Sequence, residues 1–226
     1  MTEPKILYRD DALIVAEKPV GVLSQSDRSG EDSMIEFLLK ALGKAPLSVH
    51  RLDRAVGGVM AFAASASSAS ALSKQIAGGT LVKEYLAVIH GAPTEEHGTL
   101  EDDLVHDARR NYTTVAHTSE KDAKHAILTY RLLETKEMDG EKRSLLHIRL
   151  QTGRTHQIRV QFASRGMPLV GDGKYGLHDR SPLGLYAVRL TLSHPKTGKR
   201  TTFSSLPADE PFVPFLSSEE IKKEFL

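Results

Sequence analysis

The 226-residue sequence predicts an α+β fold, a single body built on a large mixed, mostly antiparallel sheet flanked by helices and loops. Three observations lead there. Strand-like segments, alternating or continuously apolar, outnumber those with a helical period. Turn residues, rather than regular helical crossovers, separate most of these segments. The chain is also of a size at which one core is enough.

The elements follow in order. Ile6-Leu7-Tyr8 and Leu13-Ile14-Val15-Ala16 are short strands split by Asp10-Asp11, closed by Lys18-Pro19 and turned by Gly21. Met34, Phe37, Leu38, Ala41 and Leu42 then fall at helical spacing, with Ser33 and Glu36 as a capping box and Gly43 as the stop. Gly58 to Ala63 is a buried strand, preceded by a loop that links the first helix to it. A helix with Ala69, Leu72, Ser73 and Ile76 inward follows, ending at Gly78-Gly79. Val82 to Ile89, apolar on both faces, is a central strand with Tyr85 in its middle. Residues 91–125 are polar, rich in Gly, Pro, His and charge, and are expected to form a loop or short-hairpin insertion. Leu128, Tyr130 and Leu132, then Leu146, Ile148 and Leu150, then Tyr186, Val188, Leu190 and Leu192 each line one face of a strand. A short helix from Thr155 to Arg165 turns Ile158 and Phe162 inward and stops at Gly166 and Pro168. A turn at Lys196 to Lys199 introduces the last strand, and residues 207–226 make an amphipathic, charged tail.

Composition removes several chemistries. The chain has no cysteine, which excludes disulfides, Cys-ligated zinc and thiol catalysis. Its ten histidines show no ligand spacing, so no metal is expected. Neither a signal core nor a membrane-length apolar run is present, so the expectation is a soluble cytoplasmic protein with no membrane partner. Thirty basic residues against 29 acidic ones give a net charge of +1 and no global mark of a nucleic-acid binder. Locally the balance tilts: residues 149–180 carry six Lys and Arg against two Asp, and residues 207–226 carry five acids against two Lys.

Two basic segments carry the chemistry. In His50-Arg51-Leu52-Asp53-Arg54 one carboxylate sits between two arginines, and Thr152-Gly153-Arg154-Thr155-His156-Gln157-Ile158-Arg159 forms a second cluster. An Asp among cations stays ionised even when partly buried, as a nucleophilic or charge-stabilising carboxylate must. Arginines beside it suit the phosphates of an acidic polymer. Taken alone, the same residues also describe a surface salt-bridge cluster and a solvated helix face, and Tyr85 also describes a core aromatic. Gly171-Asp172-Gly173-Lys174-Tyr175-Gly176 has dinucleotide-loop spacing, but no amphipathic helix follows it, so it is not read as a cofactor motif.

Taken together, the segments resemble pseudouridine synthases of the RluA class, in the family's order and over nearly the whole chain. Lys18-Pro19-x-Gly21 resembles the opening motif, His50-Arg51-Leu52-Asp53 the catalytic motif, and Lys83-x-Tyr85-x-Ala87-x-x-x-Gly91 the central strand. Lys124 to Tyr130, Thr152 to Arg159, Gly171-Asp172-x-x-Tyr175-Gly176 and His194-Pro195 resemble the later blocks. The resemblance implies an RNA uridine isomerase that needs neither cofactor nor metal. It makes Asp53 the catalytic aspartate, Tyr85 the tyrosine that stacks on the uracil, and Arg154 the arginine paired with the aspartate. Arg51, Arg54, His156, Gln157, Arg159 and Tyr175 would contact the RNA, with Arg109, Arg110 and Lys121 of the insertion as a mobile clamp. The sequence departs from the common Thr-Ser-Gly after the catalytic motif, having Val56-Gly57-Gly58; Gln161 and Ala187 stand where His is frequent. The S4-type RNA-binding domain of many relatives is not expected here, so recognition would come from a single catalytic domain, working as a monomer on ribosomal or transfer RNA. Two other classes are weighed: an RNA-binding or RNA-folding factor on the same fold, suggested by the altered Val56-Gly57 loop, and a glycoside hydrolase. The last is disfavoured because Asp53 has no acidic neighbour in the matched motifs.

Overall fold

The computed structural model of the chain describes residues 4–27, 30–116, 120, 122–177 and 180–225. The elements run β1 (Lys5–Arg9), β2 (Leu13–Lys18), α1 (Met34–Leu42), β3 (Leu47–Ser48), β4 (Gly57–Ala63), α2 (Ala66–Ala77) and β5 (Val82–His90). They continue with β6 (His97–Asp107), β7 (Tyr112–Val115), β8 (Lys124–Met138), β9 (Glu141–Leu150) and α3 (Gln157–Ala163). The chain closes with β10 (Leu185–Ser193), β11 (Arg200–Ser204) and α4 (Glu219–Phe225). The described residues fall into two compact units, each discontinuous in sequence. No helix among them is long and apolar enough to cross a membrane.

The first unit takes the residues up to Lys83, Tyr186–Pro207 and the C-terminal residues from Lys222. β1 and β2 form the expected antiparallel hairpin, and β2 continues antiparallel onto β4, pairing Leu13 with Ala63 and Lys18 with Gly58. Every residue of β4 is buried. Its Val59, Ala61 and Ala63 join Leu13 and Val15, Leu190 and Leu192, and Leu72 of α2 in one apolar cluster. α1 begins and ends as its sequence dictates: the Ser33 and Glu36 side chains cap each other's backbone, and Gly43 closes the helix at φ 74°. One inward assignment fails, for Ser73 of α2 is exposed; it lies at the edge of the helix's apolar stripe, where spacing alone does not decide. The two-residue β3 pairs with β4, so the Asp53 loop runs between two strands rather than directly from helix to strand.

The parallel contact between β4 and β10 is short, Tyr186 opposite Gly57 and Ala187 opposite Gly58. It depends on glycine. Gly58 stands at φ +121°, and a Cβ there would lie 2.2 Å from the Ala187 carbonyl oxygen. A Cβ on Gly57 would meet the Tyr186 ring at 3.0 Å. The departure from Thr-Ser-Gly therefore has a steric reason: the volume a serine would take at position 57 is crowded by Tyr186, and the Val56 side chain is buried.

The second unit takes Glu84–Leu185 and Ala208–Ile221. β8 and β9 form a long hairpin in which the faces expected from sequence meet directly: Leu128 opposite Leu150, Tyr130 opposite Ile148, and Leu132 opposite Leu146. Of the two forms expected for residues 91–125, the described residues take the hairpin: β6 runs eleven residues, pairs antiparallel with β8, and carries β7 on its other side. The part of the tail in this unit is also folded, with Phe212, Phe215, Leu216 and Ile221 all buried. α3 is shorter than expected, starting at Gln157 after His156 in the left-handed region at φ 55° and ending at Ala163.

Arg159, expected to grip RNA, is turned inward. Its Nε and Nη2 donate to the two oxygens of Asp172 at 2.8 and 2.6 Å, with Arg159 8% exposed and Asp172 fully buried. Asp172 also accepts the N–H groups of Lys174 and Tyr175, each at 3.0 Å. Burial works to raise its pKa, but the Arg159 hydrogen bonds and charge outweigh it and hold the carboxyl below the ordinary range. The Gly171–Gly176 segment is thus a loop wound round one carboxylate, which is why its glycine spacing serves no dinucleotide.

Two outcomes test this packing. Gly58→Ala should cost about 3 kcal/mol or more in urea unfolding. Gly43→Ala, at positive φ but with open space around it, should cost only about 1 kcal/mol. Asp172→Asn leaves a buried guanidinium uncompensated and should cost about 3–5 kcal/mol at neutral pH. Because the folded carboxyl titrates below its unfolded value, its contribution is complete above about pH 4 and fades as pH falls further. The gap between wild type and variant should therefore narrow in acid; a gap constant with pH contradicts the pairing.

Candidate active site

Asp53 occupies a loop whose backbone is fixed on both sides. On the N-terminal side, the buried Ser24 hydroxyl accepts the Leu52 N–H at 3.0 Å and donates to the Leu52 carbonyl at 2.7 Å. On the C-terminal side, the Arg54 carbonyl accepts the Gly21 N–H at 2.8 Å and Lys18 Nζ at 3.1 Å. The turn at Asp53 itself closes with the Val56 N–H on the Asp53 carbonyl at 3.0 Å.

Lys18 is the tether of this arrangement. It is fully buried, and its Nζ also donates to the carbonyls of Val22 at 2.6 Å and Pro19 at 3.0 Å. Burial pulls its pKa down to about 7, the Asp53 carboxylate works to raise it, and the Arg54 charge lowers it further. Three carbonyls match the three N–H groups of an ammonium; a neutral amine would leave one without a donor, which favours the charged form. Gly21 stands at φ +86°, a turn conformation that brings its N–H to Arg54 and its carbonyl to Arg54 Nε at 3.0 Å.

His50 anchors the loop from the strand side, its Nε2 accepting the Ala61 N–H of β4 at 3.0 Å. Burial, with a smaller push from the Lys83 ammonium, drives its pKa down to about 3, so the imidazole is neutral and carries its proton on Nδ1. Arg51 is exposed. Arg54 is also exposed, and its guanidinium makes two contacts with Glu31, at 3.0 and 2.6 Å. An exposed pair of this kind is worth little and is open to exchange with a phosphate.

The other expected site residues belong to the second unit. Tyr85 lies in β5 at 6% exposure. Arg154 is exposed, its Nε donating to the His125 carbonyl at 2.9 Å. Gln157 fixes the turn before α3, its Oε1 accepting the Arg154 N–H at 3.0 Å and the Thr152 hydroxyl at 2.9 Å. His156 Nδ1 and the Tyr175 hydroxyl are 2.7 Å apart, and that hydroxyl also accepts the Thr113 N–H at 2.8 Å. His156, Tyr175 and Arg159 are thus joined in one polar network through Asp172, Gln157 bonds separately to Thr152 and Arg154, and Asp53, Arg51 and Arg54 sit in the first unit. Lys121 lies outside the described residues. Among the described residues no group of three His, Asp or Glu is placed to hold a metal.

Sequence reasoning missed Ser24, which carries no motif, and the tether role of Lys18, which was visible only as part of Lys18-Pro19-x-Gly21. It also missed Thr113, whose hydroxyl donates to the Thr155 carbonyl at 3.0 Å and ties β7 to the turn before α3.

The chain is similar to known proteins along most of its length. The ribosomal large subunit pseudouridine synthase D of Nitrosomonas europaea is 33% identical over 91% of this chain, which spans 62% of that protein's length. The dual-specificity RNA pseudouridine synthase RluA of Escherichia coli is 31% identical over 90% of this chain and 93% of its own. The structure of human RNA pseudouridylate synthase domain containing 1 superposes with a TM-score of 0.79 at 23% identity, covering 94% of this chain and 86% of that one, which shows the fold is shared. The sequence pattern described as RNA pseudouridylate synthase matches residues 12–164, a span that takes in the tethered Asp53 loop, Tyr85 and Arg154. With a pattern that covers most of the chain and relatives this similar along nearly all of it, the protein belongs to the RNA pseudouridylate synthase family, whose members are isomerases.

Proposed function

We propose that this protein isomerises specific uridines of ribosomal or transfer RNA to pseudouridine, with Asp53 as the catalytic carboxylate. The reaction breaks the bond from N1 to C1′, turns the uracil while it stays bound, and joins C5 to C1′. The C5 proton is lost and N1 gains one, so no cofactor is consumed. An ionised carboxylate beside C1′ and C6 serves any of three routes: addition to the uracil, stabilisation of positive charge on the sugar, or removal of the C2′ proton. Tyr85 gives the freed ring a surface that keeps it from leaving, and Arg154 pairs with the carboxylate and orients it. The target base has to leave its stack to reach such a pocket, and exposed Arg51 and Arg54 suit the strained backbone beside it. Arg159 instead supports the site through Asp172.

The observation that carries this reading is the tethering of the Asp53 loop: residues on both sides of the carboxylate are locked by buried polar groups before any substrate is present. The name of the Nitrosomonas relative points to the ribosomal large subunit, and that of the Escherichia relative to more than one RNA. The protein is read as one catalytic domain, a monomer working on cytoplasmic RNA.

Turnover on unmodified RNA transcripts tests the assignment. Wild type should form pseudouridine, and Asp53→Asn should fall to background while RNA affinity stays close to wild type. Product from the Asn variant at the wild-type rate would remove Asp53 from the mechanism. Salt-sensitive binding with no product from wild type would identify an RNA-binding factor instead. Lys18→Met should lower kcat about 10- to 100-fold through loss of loop position, with little change in RNA affinity. Lys18→Arg should not restore it, since a planar guanidinium cannot meet three carbonyls arranged for a point charge. Full activity in Lys18→Met would show that the tether is dispensable.

A further inference from the structure

The catalytic assignments leave unused the tip of the β6–β7 hairpin in the second unit. That tip is held rigid from within. Asp107 Oδ1 accepts the N–H groups of Arg109 at 2.8 Å and Arg110 at 3.1 Å, and Lys174 Nζ donates to the Asn111 carbonyl at 2.6 Å. The residue that follows the turn, Tyr112, stacks on Tyr175 with ring centroids 4.7 Å apart and planes 28° from parallel. Tyr175 is in turn immobilised: its hydroxyl is held by Thr113 and His156, and the Arg159 guanidinium, locked to Asp172, lies 5.2 Å from its ring centre. Tyr112 is 37% exposed, so an ordered stack of guanidinium and two phenol rings ends at a ring that water reaches. Arg109 is exposed beside it, and the Arg110 side chain is 85% exposed, 3.8 Å from Asp107.

We propose that Tyr112 is a stacking platform for an unpaired base of the RNA substrate, with Arg109 and Arg110 set to meet the phosphates that flank it. The inference rests on the RNA-modifying reading above and adds a contact away from the reacting uridine. Any nucleobase offers a face to such a ring, and a ring already held by its neighbours loses little freedom when a base settles on it. A platform joined to α3 through Tyr175 and His156 sets the register of the RNA against the turn that carries Arg154. Its loss should weaken recognition and leave the chemical step alone.

The chain has no tryptophan, so Tyr112→Trp places a single fluorescent reporter on the platform. The full-length variant is titrated with end-labelled unmodified transfer RNA transcript and with oligouridylate, and binding is followed by anisotropy of the label alongside tryptophan emission. Quenching that saturates together with anisotropy supports the platform. Tyr112→Phe should keep wild-type affinity, and Tyr112→Ala should lose about tenfold or more, read as a higher KM with kcat unchanged. Anisotropy that saturates while the tryptophan emission does not move overturns the platform and leaves the RNA reading standing. So does Tyr112→Ala binding as tightly as wild type. Failure of wild type to bind either RNA overturns the RNA reading, and the platform with it.

Discussion

One buried ammonium governs the first half of this molecule. Lys18 leaves the end of β2 and, instead of reaching water, gathers the carbonyls of Pro19, Val22 and Arg54. Burying a lone charge costs several kcal/mol unless hydrogen bonds and an opposite charge offset it, and here three carbonyls and the nearby Asp53 supply both. The arrangement works in both directions. Lys18 stays charged because the loop supplies acceptors, and the loop keeps its shape because Lys18 is charged. Gly21 completes the exchange by bonding Arg54 through its own N–H and carbonyl, which a residue confined to negative φ would not do so readily. The backbone that carries Asp53 inherits its position from these contacts, so the cost of ordering the loop is met during folding.

The second unit uses the same principle with the charges exchanged. Asp172 is the buried ion, Arg159 its partner, and the amides of Lys174 and Tyr175 complete its shell. Two features that look unrelated in the sequence, an arginine at the end of a basic cluster and a glycine-spaced loop, are one unit of structure. Through Tyr175 that unit reaches His156 and Thr113, so β7, the turn before α3 and the Gly171–Gly176 loop are joined by hydrogen bonds.

What was legible in the sequence was whatever has local causes. The capping box at Ser33 and Glu36, the all-buried β4 and the opposed faces of β8 and β9 follow from patterns within a few residues of each element. β6 was hidden because only Leu100 and Leu104 of its eleven residues are buried, too few to show a period. The closing segment was read only as an amphipathic, charged tail, because buried Phe212, Phe215 and Leu216 sit near acids and lysines that mask their packing. Arg159 could not be assigned, because its ion pair spans thirteen residues and exists only once α3 has packed. The candidate site residues were chosen through motif order, not through geometry, and that is why Lys18 and Ser24, whose hydrogen bonds run to backbone atoms, escaped notice.

The most direct test of the whole account is an experimental structure of the protein with a uridine-containing RNA bound. The account predicts a uridine drawn out of its stack, its C1′ beside the Asp53 carboxylate and its ring against Tyr85, with Lys18 still holding the carbonyls of Pro19, Val22 and Arg54. A bound RNA whose uridine lies away from Asp53, or a loop that abandons Lys18 when substrate arrives, would contradict it.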